Sequence, residues 1–98
     1  MNTLYLIPQA DAEFQEAAQW YEEQKPGLGL QFISVIERKL FTIQAHPDRY
    51  PKRKQNFREA VVRGFPYSIV YTFNRKRKMV RVLAIFHSHR DPRGKYRR

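Results

Sequence analysis

The sequence predicts an α+β fold of order β-α-α-β-β-β, with a mostly antiparallel sheet packed against an N-terminal helical hairpin. Two hydrophobic periods support this prediction: apolar residues recur every three to four positions between residues 10 and 43, and every second position between residues 67 and 73. Pro26 and Gly27 interrupt the helical period once and divide it into two helices. Because elements that follow one another in sequence usually pack together, the two helices should cover one face of the sheet.

The first strand and the first helix meet at Pro8. Leu4 to Ile7 form a short apolar run, and the apolar residues after the proline take a helical spacing: Ala10, Phe14, Ala17, Ala18 and Tyr21. Acidic side chains occupy the first turns, where the helix dipole favours negative charge. This pattern predicts a strand followed by an amphipathic helix that ends before Pro26.

The second helix carries an apolar stripe of its own, which consists of Leu28, Phe32, Val35, Ile36, Leu40 and Ile43. It should end at His46, because Pro47 follows and a proline disfavours helical geometry in the residue before it. We therefore interpret His46 as a C-terminal helix cap.

Three strands are predicted after a polar, basic segment of residues 51–56. They cover residues 57–63, 66–73 and 79–87, with a turn at Gly64 and a basic hairpin tip at residues 74–78. Regular alternation assigns Tyr67, Tyr71 and Phe73 to the core. In the last strand, it places Val80, Val82, Ala84 and Phe86 on one shared face.

The composition fits a single domain, residues 1–98, that closes with a basic tail at residues 88–98. With 42% hydrophobic and 14% aromatic residues, the chain can form a modest core. The absence of cysteine excludes disulfides and thiolate metal sites and favours a reducing compartment. Apolar runs are far shorter than the roughly 20 residues that span a bilayer. We expect a cytoplasmic protein with no membrane partner.

The net charge of +10 is distributed unevenly along the chain. Residues 1–50 carry seven carboxylates and four cations, whereas residues 51–98 carry fifteen cations and two carboxylates. A directed field of this kind steers polyanions or acidic proteins toward one face of a molecule. The basic half therefore points to a polyanionic or acidic partner.

Six short motifs, spread over nearly the whole chain, carry a resemblance to a known family. They are Trp20-Tyr21-Glu22; Pro26-Gly27-Leu28-Gly29 with Phe32; His46-Pro47 with Tyr50-Pro51; Arg63-x-Phe65-Pro66-Tyr67-x-Ile69-Val70-Tyr71; Val82-Leu83-Ala84-Ile85-x-His87; and Arg90-x-Pro92. In this order and at these spacings, they resemble the RelE/ParE superfamily of toxins from type II toxin–antitoxin modules. The fold of that superfamily, a small antiparallel sheet backed by two N-terminal helices, agrees with the elements predicted above.

The resemblance implies a protein that arrests bacterial growth and is held inactive by a cognate antitoxin in a hetero-oligomer. Two activities occur under this fold. RelE-like members cleave mRNA in the ribosomal A site, and ParE-like members, which include plasmid stabilisation toxins, inhibit DNA gyrase. Because both activities occur on the same fold, only the side chains can distinguish an mRNA-cleaving member from a gyrase inhibitor.

A RelE-like site would need an acid, a base and cations on the phosphate. The resemblance implies an arginine on the central strand, just before a Leu/Val-Val-Tyr segment that here reads Ile69-Val70-Tyr71, but Ser68 occupies that position. If the chain is nevertheless RelE-like, the candidate catalytic residues are Arg63, Arg81, His87 and Arg90. Arg63 and Arg81, expected on neighbouring strands, would replace the missing charge; for both arginines, an ordinary solvated role is the alternative.

His87 and His89 are candidates for proton transfer, because imidazole titrates near neutral pH. For His87, packing at the end of a strand is the alternative. Three widely spaced histidines without cysteine do not predict a metal site, and no cofactor is expected.

The surface that meets the target or the antitoxin is predicted to contain basic residues, one histidine and one tyrosine: Arg58, Arg63, Arg81, His89, Arg90 and Tyr96. Cations of this kind bind phosphates or carboxylates, and Tyr96 offers a ring that could stack on a base. The alternative is a basic tail that orders only against another chain.

Ser68 favours a ParE-like growth inhibitor, with DNA gyrase as its target, over a RelE-like ribosome-dependent endoribonuclease. A module that binds only its antitoxin or nucleic acid, without toxicity, is a third hypothesis. The sequence leaves all three open.

Overall fold

The computed structural model describes residues 1–89 as five strands and two helices. In chain order they are β1 (Thr3–Leu6), α1 (Pro8–Gln24), α2 (Leu28–Ala45), β2 (Lys52–Lys54), β3 (Phe57–Val61), β4 (Tyr67–Asn74) and β5 (Met79–His87). The strands form one sheet of order β1-β5-β4-β3-β2. β1 pairs parallel with β5, and the other pairs are antiparallel. The predicted fold class is confirmed. Neither helix is both long and apolar enough to cross a membrane.

β2 is a strand that the sequence analysis missed. The predicted order β-α-α-β-β-β assigns no strand to the polar, basic segment of residues 51–56, but Lys52–Lys54 pairs antiparallel with β3, with Lys52 opposite Arg58. All three residues of β2 are exposed. A strand without a buried face shows no alternation of apolar and polar residues, so its pattern resembles that of a basic loop.

The two helices bury the predicted stripes against one face of the sheet. Ala10, Phe14, Ala17 and Ala18 of α1 and Phe32, Ile36, Leu40 and Ile43 of α2 belong to the main core. α2 ends at His46, whose backbone N–H donates to the carbonyl of Thr42, so the predicted cap is confirmed. Tyr71 of β4 and Phe32 are among the largest fully buried side chains. The core therefore lies between the helical hairpin and the central strands.

The turn between the helices depends on the carboxylate of Glu22. Its Oε2 accepts a hydrogen bond from the Gly27 N–H and its Oε1 accepts one from the Gly29 N–H, both at 3.0 Å. Gly27 has φ of +89°, a left-handed conformation that favours glycine. The carboxylate satisfies donors at the start of α2 that have no partner within the helix. Glu22, near the end of α1, thus fixes where α2 begins.

Gly29 allows the two helices to approach closely. A Cβ atom at this position would lie 2.6 Å from the carbonyl oxygen of Ala18 and 2.9 Å from Cβ of Glu22. The first of these neighbours is backbone and cannot move aside without shifting α1. The second glycine of the Pro-Gly-Leu-Gly motif is therefore required by packing.

β5 contains a bulge that changes which side chains share a face. Tyr71 pairs with Val82 and Val70 pairs with Ala84, so Leu83 is the extra residue. Val80, Val82 and Ile85 consequently join the main core, whereas Ala84 and Phe86 pack on the opposite face of the sheet with Val70. The prediction that Val80, Val82, Ala84 and Phe86 share one face is wrong, because a bulge shifts the period of two by one residue.

Past the end of β1, the β5 backbone is covered by α1. The last backbone hydrogen bond on the β1 side joins the Ile7 N–H to the Val82 carbonyl. Further along β5, Oε1 of Glu13 accepts a hydrogen bond from the Ile85 N–H at 3.0 Å. An acidic side chain of α1 thereby satisfies a strand donor that β1 is too short to reach.

Candidate functional site

Arg58 is positioned by β3 and holds the loop between α2 and β2. Its Nη1 donates to the carbonyl oxygen of Tyr50 at 2.6 Å, and its Nη2 lies 3.5 Å from Oδ1 of Asp48. Only 16% of its side chain is exposed. The predicted target-binding or antitoxin-binding guanidinium is therefore engaged with this protein's own loop.

Tyr71 holds the same loop from inside the core. Its hydroxyl donates to the carbonyl oxygen of Pro47 at 2.6 Å, and the residue is fully buried. Burial raises the pKa of the Tyr71 phenol, against the opposing effect of the nearby Arg58 cation. The phenol therefore stays protonated and keeps its donor. Tyr71 and Arg58 together fix the loop that follows α2.

Arg81 lies on the sheet face opposite the helices, which we call the open face. It is exposed, and its neighbours Val80 and Val82 point into the main core. Tyr5 of β1 and Thr72 of β4 are its cross-strand partners. Tyr5 is 48% exposed. The open face thus presents an aromatic ring, a guanidinium and a hydroxyl side by side.

Tyr5 is a candidate site residue that the sequence analysis did not consider. The alternation of β1 indicates this position: Leu4 and Leu6 pack against the main core, so Tyr5 between them points to the other face of the sheet. What was missing was the knowledge that β1 lies beside β5, which brings Tyr5 next to Arg81.

The centre of the open face is apolar. Ser68 is 2% exposed and pairs with Val61 on one side and Phe86 on the other. Val70, the next residue of β4 on this face, forms a small cluster with Ala84 and Phe86. The position that corresponds to an arginine in RelE-like members is therefore a buried serine among hydrophobic side chains.

Arg63 lies on the helix side of the molecule. It follows the end of β3 and lines a cavity with Arg38, Lys39 and Thr42 of α2. The expectation that Arg63 and Arg81 lie on neighbouring strands is wrong, because β4 separates β3 from β5. The two arginines face opposite sides of the sheet and do not form one cationic site.

His87 and His89 lie together at the end of β5. Their rings are 5.8 Å apart, and Nδ1 of His87 accepts a hydrogen bond from the His89 N–H at 3.2 Å. His87 also packs edge-on against Tyr67 and lines a cavity with Glu16 and Trp20 of α1. His87 is therefore on the helix side, whereas Arg81 is on the open face. Arg90 and Tyr96 lie outside the described residues.

Within residues 1–89, the candidate catalytic side chains do not converge. Arg63 lies beside α2, His87 beside α1, and Arg81 on the open face. No group of three or more His, Asp or Glu side chains in this part of the chain could hold a metal ion. The three described candidate side chains therefore belong to three separate surfaces.

The family assignment comes from sequence. The family described as ParE toxin of type II toxin-antitoxin system, parDE, matches residues 4–92. The chain belongs to the ParE toxin family. It is thus a ParE-like toxin of a type II toxin–antitoxin system. No curated protein matches the chain significantly.

Solved structures agree with the ParE-family fold. A chain of the chromosomal ParDE system from P. aeruginosa has a TM-score of 0.77 and 18% identity, over 89% of this chain and 96% of that one. A chain of the intact E. coli RelBE toxin–antitoxin complex has a TM-score of 0.67 and 17% identity, covering 92% and 100% respectively. The isolated E. coli RelE toxin has a TM-score of 0.60 and 15% identity, covering 94% and 89%.

Proposed function

We propose that this ParE-family toxin inhibits DNA gyrase in the bacterial cytoplasm and is neutralised by a cognate antitoxin. The observation that supports gyrase over mRNA is the position of the cations. Ser68 is buried where a nuclease would need positive charge, and Arg63 and Arg81 lie on opposite sides of the sheet. A surface that binds another protein does not require those groups to meet at one phosphate.

The cognate antitoxin is proposed as a partner on two grounds. Two of the similar solved structures are those of the ParDE system and of the intact RelBE complex. The toxin itself carries a net charge of +10, so an acidic antitoxin segment would be attracted over a long range. We expect the two proteins to form a hetero-oligomer.

RelE-like cleavage of mRNA remains the second candidate function, and one observation favours it. An exposed tyrosine beside an exposed arginine on an open sheet is an arrangement that stacks on and pairs with RNA bases. Tyr5, Arg81 and Thr72 provide this arrangement, although the groups for proton transfer lie elsewhere among residues 1–89.

A supercoiling assay tests the proposed target. The purified full-length toxin, added in molar excess to DNA gyrase and relaxed plasmid, should abolish supercoiling. An Arg81→Ala variant that stays folded should require more protein for the same inhibition. Unchanged supercoiling, together with codon-phased mRNA 5′ ends after induction in bacteria, would establish the RelE-like function instead. Normal growth at confirmed expression would overturn both toxic functions.

A further inference from the structure

Two adjoining cavities form one groove across the end of the sheet, between the α2–β2 loop and the β4–β5 hairpin. They share Asp48, Phe73 and Arg75. The first is also lined by Arg49 and Lys78, and the second by Lys52, Arg58, Asn56, Thr72 and Asn74. We call this feature the hairpin groove. It lies at the opposite end of the sheet strands from His87, since Asn74 pairs with Met79 and Tyr67 pairs with His87.

The hairpin groove is strongly cationic. Among residues 1–89, its lining includes five Lys or Arg side chains and one carboxylate, that of Asp48. α1, by contrast, carries five carboxylates and no Lys or Arg. Four of the fifteen cations of residues 51–98 therefore line this one groove. A groove with this excess charge attracts a ligand that carries several negative charges.

The Asp48 carboxylate forms ion pairs with two of the cations in the middle of the hairpin groove. Its Oδ1 lies 2.8 Å from Nη2 of Arg75 and 3.5 Å from Nη2 of Arg58. The two arginines differ in freedom. Arg58 is also bonded to the carbonyl oxygen of Tyr50 and is mostly buried, whereas the side chain of Arg75 is 74% exposed. Arg75 is therefore the cation that can leave Asp48 for a ligand without unfolding the loop.

The neutral lining residues indicate the chemistry of the ligand. Asn56, Thr72 and Asn74 offer short polar side chains of the kind that bind phosphate oxygens. Phe73 and His46 are the aromatic residues of the described lining, and Arg75 lies over the Phe73 ring at 5.5 Å. Protein partners are usually held by a buried apolar centre with aromatic anchors, whereas the apolar side chains in the described lining are those of Ala45, Pro47 and Phe73 beside five cations. Phosphate backbones need no such centre.

We propose that the hairpin groove binds the phosphodiester backbone of a nucleic acid, and that Arg75 moves from Asp48 to a phosphate when it does so. This inference goes beyond the proposed function and does not depend on it. It holds for a toxin whose target is gyrase and for one whose target is the ribosome.

Removal of three groove cations tests the proposal. In Lys52→Gln/Arg75→Gln/Lys78→Gln, affinity for a fluorescein-labelled 20-bp DNA duplex should fall at least about tenfold at 0.1 M salt. The slope of log affinity against log salt should decrease by about 2 to 3, since each phosphate contact contributes about 0.9. The matched control, Lys25→Gln/Arg38→Gln/Lys76→Gln, removes the same charge at exposed positions outside the groove.

The control also shows what would overturn the proposal. An equal loss of affinity and of slope in both triple variants would mean that net charge alone binds DNA. Polyglutamate that displaces the duplex at equal charge concentration from the parent protein, but not from the groove variant, would assign the groove to an acidic protein instead.

Asp48→Asn tests whether Arg75 moves from Asp48 to a phosphate when the nucleic acid binds. Because this change removes a carboxylate that competes with phosphate, the duplex should bind about threefold more tightly or better. Affinity that is unchanged or lower would refute the exchange. Thermal unfolding of each variant, compared with that of the parent, separates these effects from damage to the fold.

Discussion

Gly29 shows how a single residue sets the distance between two elements. Its hydrogen atom occupies a space where a Cβ atom would be 2.6 Å from a backbone oxygen of α1. In the sequence, Pro26-Gly27 marks the boundary between the helices and Pro-Gly-Leu-Gly is one of the motifs of the family resemblance, but neither use assigns a role to Gly29 itself. The packing role could not be predicted, since it depends on which turn of α1 faces α2.

Gly29→Ala should therefore destabilise the protein. Overpacking of this kind costs about 1–3 kcal/mol of unfolding free energy, measured by urea titration. Ser34→Ala, at an exposed position of the same helix, should change stability by less than about 0.5 kcal/mol. Equal stability of Gly29→Ala and the parent would show that α1 can shift to accommodate the methyl group.

Tyr71 links the stability of the fold to alkaline pH. Its pKa is raised in the folded protein from 10.0, so the folded state keeps the proton that the unfolded chain loses. The stabilisation that the folded state gains from keeping this proton is fully present below pH 10 and is lost as the pH rises above it. Stability should therefore fall with increasing pH in this range.

Tyr71→Phe isolates this effect. Near neutral pH, the variant should be about 1–2 kcal/mol less stable, because the carbonyl of Pro47 loses its donor. The difference in unfolding free energy between the variant and the parent should decrease by about 1 kcal/mol between neutral pH and pH 11. Tyr5→Phe, at a half-exposed position, serves as the control. A difference independent of pH would mean that Tyr71 ionises in the folded protein as easily as in the unfolded chain.

Among the elements, β5 departs most from its sequence pattern. Its bounds, residues 79–87, are those predicted, but the bulge at Leu83 reverses the faces of the residues that follow. Neither glycine nor proline marks the bulge, so alternation alone could not reveal it. α1 and α2 were predicted with their buried residues, because a helical stripe of five or six apolar positions is a strong signal.

The contact between Glu13 and β5 provides a test at this scale. Glu13→Ala should speed hydrogen exchange at the Ile85 amide and lower the unfolding free energy by about 1–2 kcal/mol, because a donor at the edge of β5 loses its acceptor. Glu16→Ala, one turn further along and exposed, should leave that amide protected. Unchanged exchange in Glu13→Ala would show that another group can replace the carboxylate.

At the scale of the whole molecule, the sheet separates two groups of candidate residues. Residue types and motifs selected the candidate side chains, but they did not predict which face each one occupies. Arg63 follows the end of its strand, where alternation no longer defines a side, and it lies beside α2. Arg81 lies within β5, and its exposed position on the open face follows from its buried neighbours.

This separation predicts different effects on growth inhibition. If the open face meets the target, Arg81→Ala should raise the amount of toxin needed to arrest growth by about tenfold, as expected for the loss of one charged hydrogen bond. Arg63→Ala should have a smaller effect. Immunoblots and circular dichroism would confirm equal levels of folded protein. A larger effect of Arg63→Ala would place the target on the helix side.

The pairing of β1 with β5 has a consequence for the order of synthesis. Thr3 pairs with Met79 and Leu6 pairs with Val82, so β1, which is made before the other described strands, is completed by β5, which is made after them. The helical hairpin has local contacts, such as that from Glu22 to Gly29, which can form before the sheet is complete. A nascent chain, however, has no partner for β1 until residue 82 has been made. Tyr5 and Arg81 therefore come together only after β5 has been made, and a translation product that stops before residue 81 cannot present both.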